Sequence, residues 1–230
     1  MSFDDKYKLI SVDGEEFICK KKAWAEKQSD MSLELKMKQN NIPLHAKNLV
    51  FENYIGTDRT FVGRFHTFCE KFDEKFYDKH LYLWSKEHGT QKTTMASIIA
   101  KELLKKGKTV RFILMGDLIS LLSKLDNEDD GQVKSMAERD VLVVEDSFDK
   151  KKCTIYRSGY QLGFLDRFLR QRLEVDRKAT CFTSNMSPDS IESECFGDNL
   201  KTLIQRSCIP FEMNVSYDER NRFNPDDLWS

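Results

Sequence analysis

The stretch that most constrains the fold is residues 81–113, "LYLWSKEHGTQKTTMASIIAKELLKKGKTVRFI". It reads as a short apolar run, a polar loop ending in Lys92-Thr93-Thr94, a helix, and a second apolar run. The loop has the layout of a phosphate-binding loop, whose usual spacing is G-x-x-x-x-G-K-[ST]. Both framing glycines are missing, with Lys86 and Gln91 in their places.

The chemistry of such a loop is nonetheless retained in part. Its backbone N–H groups turn inward around phosphates, and the following helix adds its positive N-terminal end. Lys92 supplies a point charge for the β- and γ-phosphates and Thr93 a hydroxyl for Mg²⁺. Gly89, Thr90, Gln91 and Thr94 complete the set of nucleotide-binding candidates. The position before the lysine normally needs a conformation that side chains resist. Gln91 there costs about 1–2 kcal/mol of strain, or else the loop shifts.

Further along, apolar runs at 81–84, 110–114, 141–145 and 179–183 are short and not strictly alternating, as expected of strands buried on both faces. Helical stretches near 92–106, 116–125, 160–175 and 196–206 separate or follow them. The pattern predicts an α/β fold, a parallel central sheet flanked by helices, with ligands beyond the carboxyl ends of the strands. "RDVLVVEDSFD" places Glu145 and Asp146 at one such end. This is the shape of a Walker B pair, in which one acid orients Mg²⁺ and its neighbour polarises the attacking water. The usual order is Asp then Glu; here the two are swapped. "RKATCFTSNMSPDS" ends a further strand in Ser184-Asn185, so that Asn185 can bond the water or the γ-phosphate.

Ahead of this core the chain differs in character. Residues 1–40 are strongly polar, with a small helical segment in "KKAWAEKQSDMSLELKMKQ" whose Trp24, Met31 and Leu35 share a face. Pro43 then marks a linker, so residues 1–40 are expected to form a partner-docking segment and 41–230 the main domain. Phe61, Phe65, Phe68, Phe72 and Phe76 recur at helical steps and read as the buried face of a helix. The net charge of -1 gives no global basic footprint, so contact with single-stranded DNA would rest on local clusters: 19–22, 105–108, 149–152, and Arg167, Arg170 and Arg172. Six cysteines without a C-x-x-C pair fit a reducing cytoplasm. No run reaches the roughly 18 apolar residues that span a bilayer, so no membrane partner is expected.

Taken together, residues 42–228 resemble the AAA+ ATPases of the DnaC/DnaI helicase-loader type, which include IstB-like transposition ATPases and phage members. The resemblance runs through "NIPLHAKNLVFENY", "GTQKTTMASIIAKELLKKGKTVRFI", "DLISLLSKL", "DVLVVEDSF", "LDRFLRQRLEVDRKATCFTSNMS", "FGDNLKTLIQRSCIPFEM" and "FNPDDLW". It implies an ATP- or ADP-binding protein that uses Mg²⁺, engages a replicative helicase or its loader, and helps place the helicase on single-stranded DNA. It also implies that Arg220 touches phosphate in cis; Tyr54 or Phe51 is expected near the adenine. The family's arginine finger, which reaches the next subunit of a homo-oligomer, falls at Leu203, leaving Arg206 as the candidate trans arginine. The helix "DLISLLSKLDNEDDG", which in the family helps contact DNA, is acidic here. These departures predict weak or absent hydrolysis. The alternatives are an active IstB-type ATPase acting on DNA and a non-catalytic phage module that inhibits or redirects the host loader.

Overall fold

A computed structural model describes residues 7–12, 15–20, 32–54, 59–123, 131–149 and 159–213. At the N-terminal end, β1 (Tyr7–Val12) and β2 (Glu15–Lys20) pair as an antiparallel hairpin, which the sequence reading did not anticipate. A short helix, α1, follows at 32–39. The main domain then alternates: α2 (Arg59–Glu70), β3 (His80–Trp84), α3 (Lys92–Lys105), β4 (Val110–Leu114), α4 (Met115–Leu122) and α5 (Gly131–Ala137). It closes with β5 (Val141–Glu145), α6 (Gly159–Arg170), β6 (Thr180–Ser184), α7 (Ser193–Ser207) and β7 (Cys208–Glu212).

The last five strands form one sheet in the order β4-β5-β6-β3-β7, and every pairing is parallel. Strand side chains alternate between two cores because the pleat has a period of two. Leu81, Leu83, Val141, Val143 and Cys181 enter one core with α2 and α3. Tyr82, Leu142, Val144 and Phe182 enter the other with α4, α6 and α7. This explains the unbroken apolar runs. β7, a strand outside the expected set, forms an edge of the sheet through its pairing with β3.

The phenylalanine stripe is core, as its spacing predicts: Phe65, Phe68 and Phe72 are buried, and Phe61 and Phe76 pack against the same cluster. The reading of α1 needs correction. Trp24 and Met31 lie outside the described residues, and Leu35 is 57 % exposed. The buried face is instead Leu33, partly buried, and Met37, fully buried, one i,i+4 step apart. Arg111 Nη1 donates to Gln39 O at 2.9 Å and Phe112 N to Asn40 O at 2.9 Å. Residues 32–40 thus contact the sheet and its core through Met37 and the two bonds from β4.

Two buried cations act as structural clamps. Lys101, wholly buried, donates to Lys47 O and Leu49 O and binds the linker to α3. Arg172, 1 % exposed, donates to Thr180 Oγ1, Ala137 O, Arg139 O and Ala179 O, tying the end of α5 to β6. Cys69, Cys181 and Cys208 are free and buried.

Candidate functional site

The carboxyl ends of β3, β5 and β6 meet around the loop 85–91. Ser85 N donates to Ser184 O at 3.2 Å and fixes the start of this loop against β6. Lys86, Glu87 and His88 are exposed, so the residue in the first glycine position sends its side chain into solvent. Gly89 takes φ 77°, and Gln91 takes φ 62°, ψ 17°, in the left-handed region. The loop has therefore kept its path and accepted the strain of a side chain there, about 1–2 kcal/mol. What holds it is α3: ten of its residues are buried, and Met95 N donates to Gln91 O at 2.9 Å.

Lys92 is half-buried at the helix start. Its Nζ donates to Thr90 Oγ1 at 2.9 Å and to Glu87 O at 3.2 Å, so the ammonium lies folded into the loop. Desolvation pushes its pKa down to about 8, and the nearby carboxylate of Asp146 partly opposes that. Thr93 Oγ1 donates to Glu145 Oε1 at 2.6 Å, across 52 positions of sequence. The hydroxyl and the carboxylate of the two motifs are thus in direct contact. Thr94 and Thr90 are buried beside them.

Asp146 follows in a left-handed conformation, φ 52°, its N–H donating to Thr183 Oγ1 at 3.3 Å. Asn185 is half-buried at the end of β6, next to Ser184, whose Oγ donates to Ser147 O at 2.7 Å. Thr183, a hydroxyl inside an apolar strand run, lies outside the motif residues and holds the backbone of Asp146 and Ser147. Phe51 and Tyr54 are buried and line a cavity of about 300 Å³ with Glu52, Val62, Gly63 and His66.

The arginine candidates are placed differently. Leu203 is wholly buried in the core, and Arg206 is exposed but ion-paired to Glu174 of its own chain. Arg220 lies outside the described residues. Of the basic clusters, Lys105, Lys106 and Lys108 pair with Glu102, Glu70 and Asp73. Arg170 pairs with Asp166 and Glu174, and Arg172 is buried and cannot meet a phosphate backbone, which corrects its place among the DNA candidates.

The donor set suits a hard cation: a hydroxyl and a carboxylate oxygen, with no group of three or more His, Cys, Asp or Glu among the described residues. Mg²⁺ held by Thr93 and Glu145 would complete its shell from phosphates and water, as it usually does.

A five-stranded parallel sheet of this order, with a lysine-threonine loop after β3 and paired acids after β5, defines the AAA+ P-loop fold. Solved structures share it. DnaI matches with a TM-score of 0.62 and 19% identity over 77% of this chain and 94% of that one. The DnaC helicase loader matches at 0.58 and 17%, covering 75% and 100%. AMPPCP-bound DnaA from Aquifex aeolicus matches at 0.58 and 15%, covering 78% of this chain and 54% of that one. No protein-family model and no curated protein matches the chain. No described helix is long and apolar enough to cross a membrane.

Proposed function

We propose that this chain is a helicase-loader-like AAA+ protein that binds ATP or ADP with Mg²⁺ and engages a replicative helicase or its loader, with little or no hydrolysis. The observation that carries the reading is the pairing of Thr93 with Glu145 at 2.6 Å beside a half-buried Lys92. Lys92 would leave Thr90 to meet the β- and γ-phosphates, while the N-terminus of α3 and the loop N–H groups bind the same charge. Phe51 and Tyr54 are the adenine candidates, Asn185 the γ-phosphate contact, and Arg220 a second phosphate contact. The DnaC helicase loader and AMPPCP-bound DnaA among the structural neighbours support the assignment by fold.

Slow turnover follows from the same residues. Asp146 is one methylene short of the glutamate that normally polarises the water. The finger position holds a buried leucine, and Arg206 is engaged by Glu174. An arginine finger is worth a factor of about 10³–10⁵ in rate, which leucine cannot supply. Nucleotide then acts as a structural ligand, stabilising the fold by binding.

Titrating labelled ATP into the wild type and Lys92→Ala tests the reading. Binding by the wild type, weakened at least tenfold by the substitution, is expected. Equal, negligible binding by both would overturn it. Phosphate release near background with helicase and single-stranded DNA present is the second expected result.

A further inference from the structure

The turn after β5 is under more constraint than the rest of the site. Asp146 and Phe148 both occupy the left-handed region, φ 52° and 59°, and neither is glycine. Such backbone persists only where its surroundings over-determine it, and it clusters at switch regions. Here Ser147 N donates to Thr183 O at 2.8 Å, and Ser147 Oγ to Val144 O at 2.9 Å. Ser184 Oγ closes the turn by donating to Ser147 O at 2.7 Å.

Phe148 is wholly buried, and its surroundings link the site to a distant helix. Its ring meets Phe196 of α7 edge-on, with centroids 5.3 Å apart, and lies 6.0 Å from Phe182 and 6.4 Å from Tyr82. Phe196 immediately precedes Gly197, where α7 breaks with φ 77°, ψ 149°. Glycine takes that conformation freely, so the break can serve as a hinge. Beyond it α7 carries Arg206, whose ion pair with Glu174 is exposed and holds the far end to the turn after α6.

We propose that the turn 146–148 is a mechanical relay. A change at the Thr93–Glu145 pair passes through Phe148 to Phe196, swings the part of α7 beyond Gly197, and loads or releases the Arg206–Glu174 latch. Close-packed rings convert a small shift at Glu145 into a discrete one at the hinge, because a packed core has alternative arrangements and does not deform smoothly. The natural trigger rests on the nucleotide reading above; the relay itself does not, since Thr93→Val breaks the trigger contact with no ligand present.

Hydrogen exchange across residues 198–207, read by mass spectrometry, tests this as a double-mutant cycle. Thr93→Val is expected to change exchange there by about fivefold in the wild-type background and to leave it unchanged in Phe148→Leu. Phe196→Leu, which cuts the relay from the α7 side, should give the same result, and thermal unfolding identifies whichever variant keeps the fold. Adding ADP with Mg²⁺ should act on the same peptides with the same dependence. An equal response with and without Phe148, or no response in either background, overturns the relay. Absence of ADP binding together with a Phe148-dependent response to Thr93→Val would overturn the nucleotide reading and uphold the relay.

Discussion

Lys92 ties the proposed nucleotide binding to pH through a single side chain. Its pKa falls to about 8 from an ordinary 10.5 because burial penalises the charge. The unfolded chain therefore binds more protons between about pH 8 and 10.5, and the contribution of Lys92 to stability rises with pH across that window. Nucleotide has the opposite preference, since a polyphosphate binds the charged ammonium. Affinity for ADP should be full below pH 8, decline as the pH rises above it, and lose this dependence in Lys92→Ala; calorimetry at several pH values checks the sign. Gln91 offers a second test. At φ 62° glycine relieves the left-handed strain but costs about 0.5–1 kcal/mol of chain entropy. Gln91→Gly should therefore leave stability unchanged or raise it by about 1 kcal/mol in a urea titration. The same substitution inside a helix would lower stability.

At the scale of elements, the loop before α3 keeps its form because the helix behind it is buried on nearly every side. On the other side of the sheet, Arg172 joins α5 to β6. Its guanidinium satisfies carbonyls at the end of α5 and a hydroxyl on β6 at once, and a lysine's compact ammonium cannot span that fork. Arg172→Lys should cost about 3 kcal/mol, measured by urea unfolding, through carbonyls left without partners. Met37 makes the matching case for α1. Truncating this wholly buried side chain to alanine should cost about 2–5 kcal/mol. A loss under about 0.5 kcal/mol would show that α1 does not contribute to the core.

For the whole molecule, the position of α1 separates two deletions that a boundary at residue 40 would merge. Removing residues 1–31 leaves Met37, Ile42 and the bonds to β4 in place. That truncation should fold with an unchanged melting temperature and lose capture of the replicative helicase in a pull-down. Removal of residues 1–40 should lower the melting temperature by several degrees as well. Undiminished capture by the shorter chain would place docking on the main domain.

What the sequence determined by itself was whatever depends on local pattern. The apolar runs predicted four of the five parallel strands, the phenylalanine spacing predicted a buried helix face, and Lys92-Thr93 with Glu145-Asp146 marked the strand ends where the candidate site is assembled. These are legible because strand and helix periodicity and loop spacing are properties of neighbouring residues. The tertiary structure decided what depends on distant partners. Thr93 meets Glu145 across 52 positions, Leu203 turns inward while Arg206 finds Glu174, and Arg172 disappears into the core although its neighbours Arg167 and Arg170 do not. It also set the phase of α1 and the left-handed turn at Phe148, because burial against a surface made by other segments outweighs the preference of any short stretch read alone.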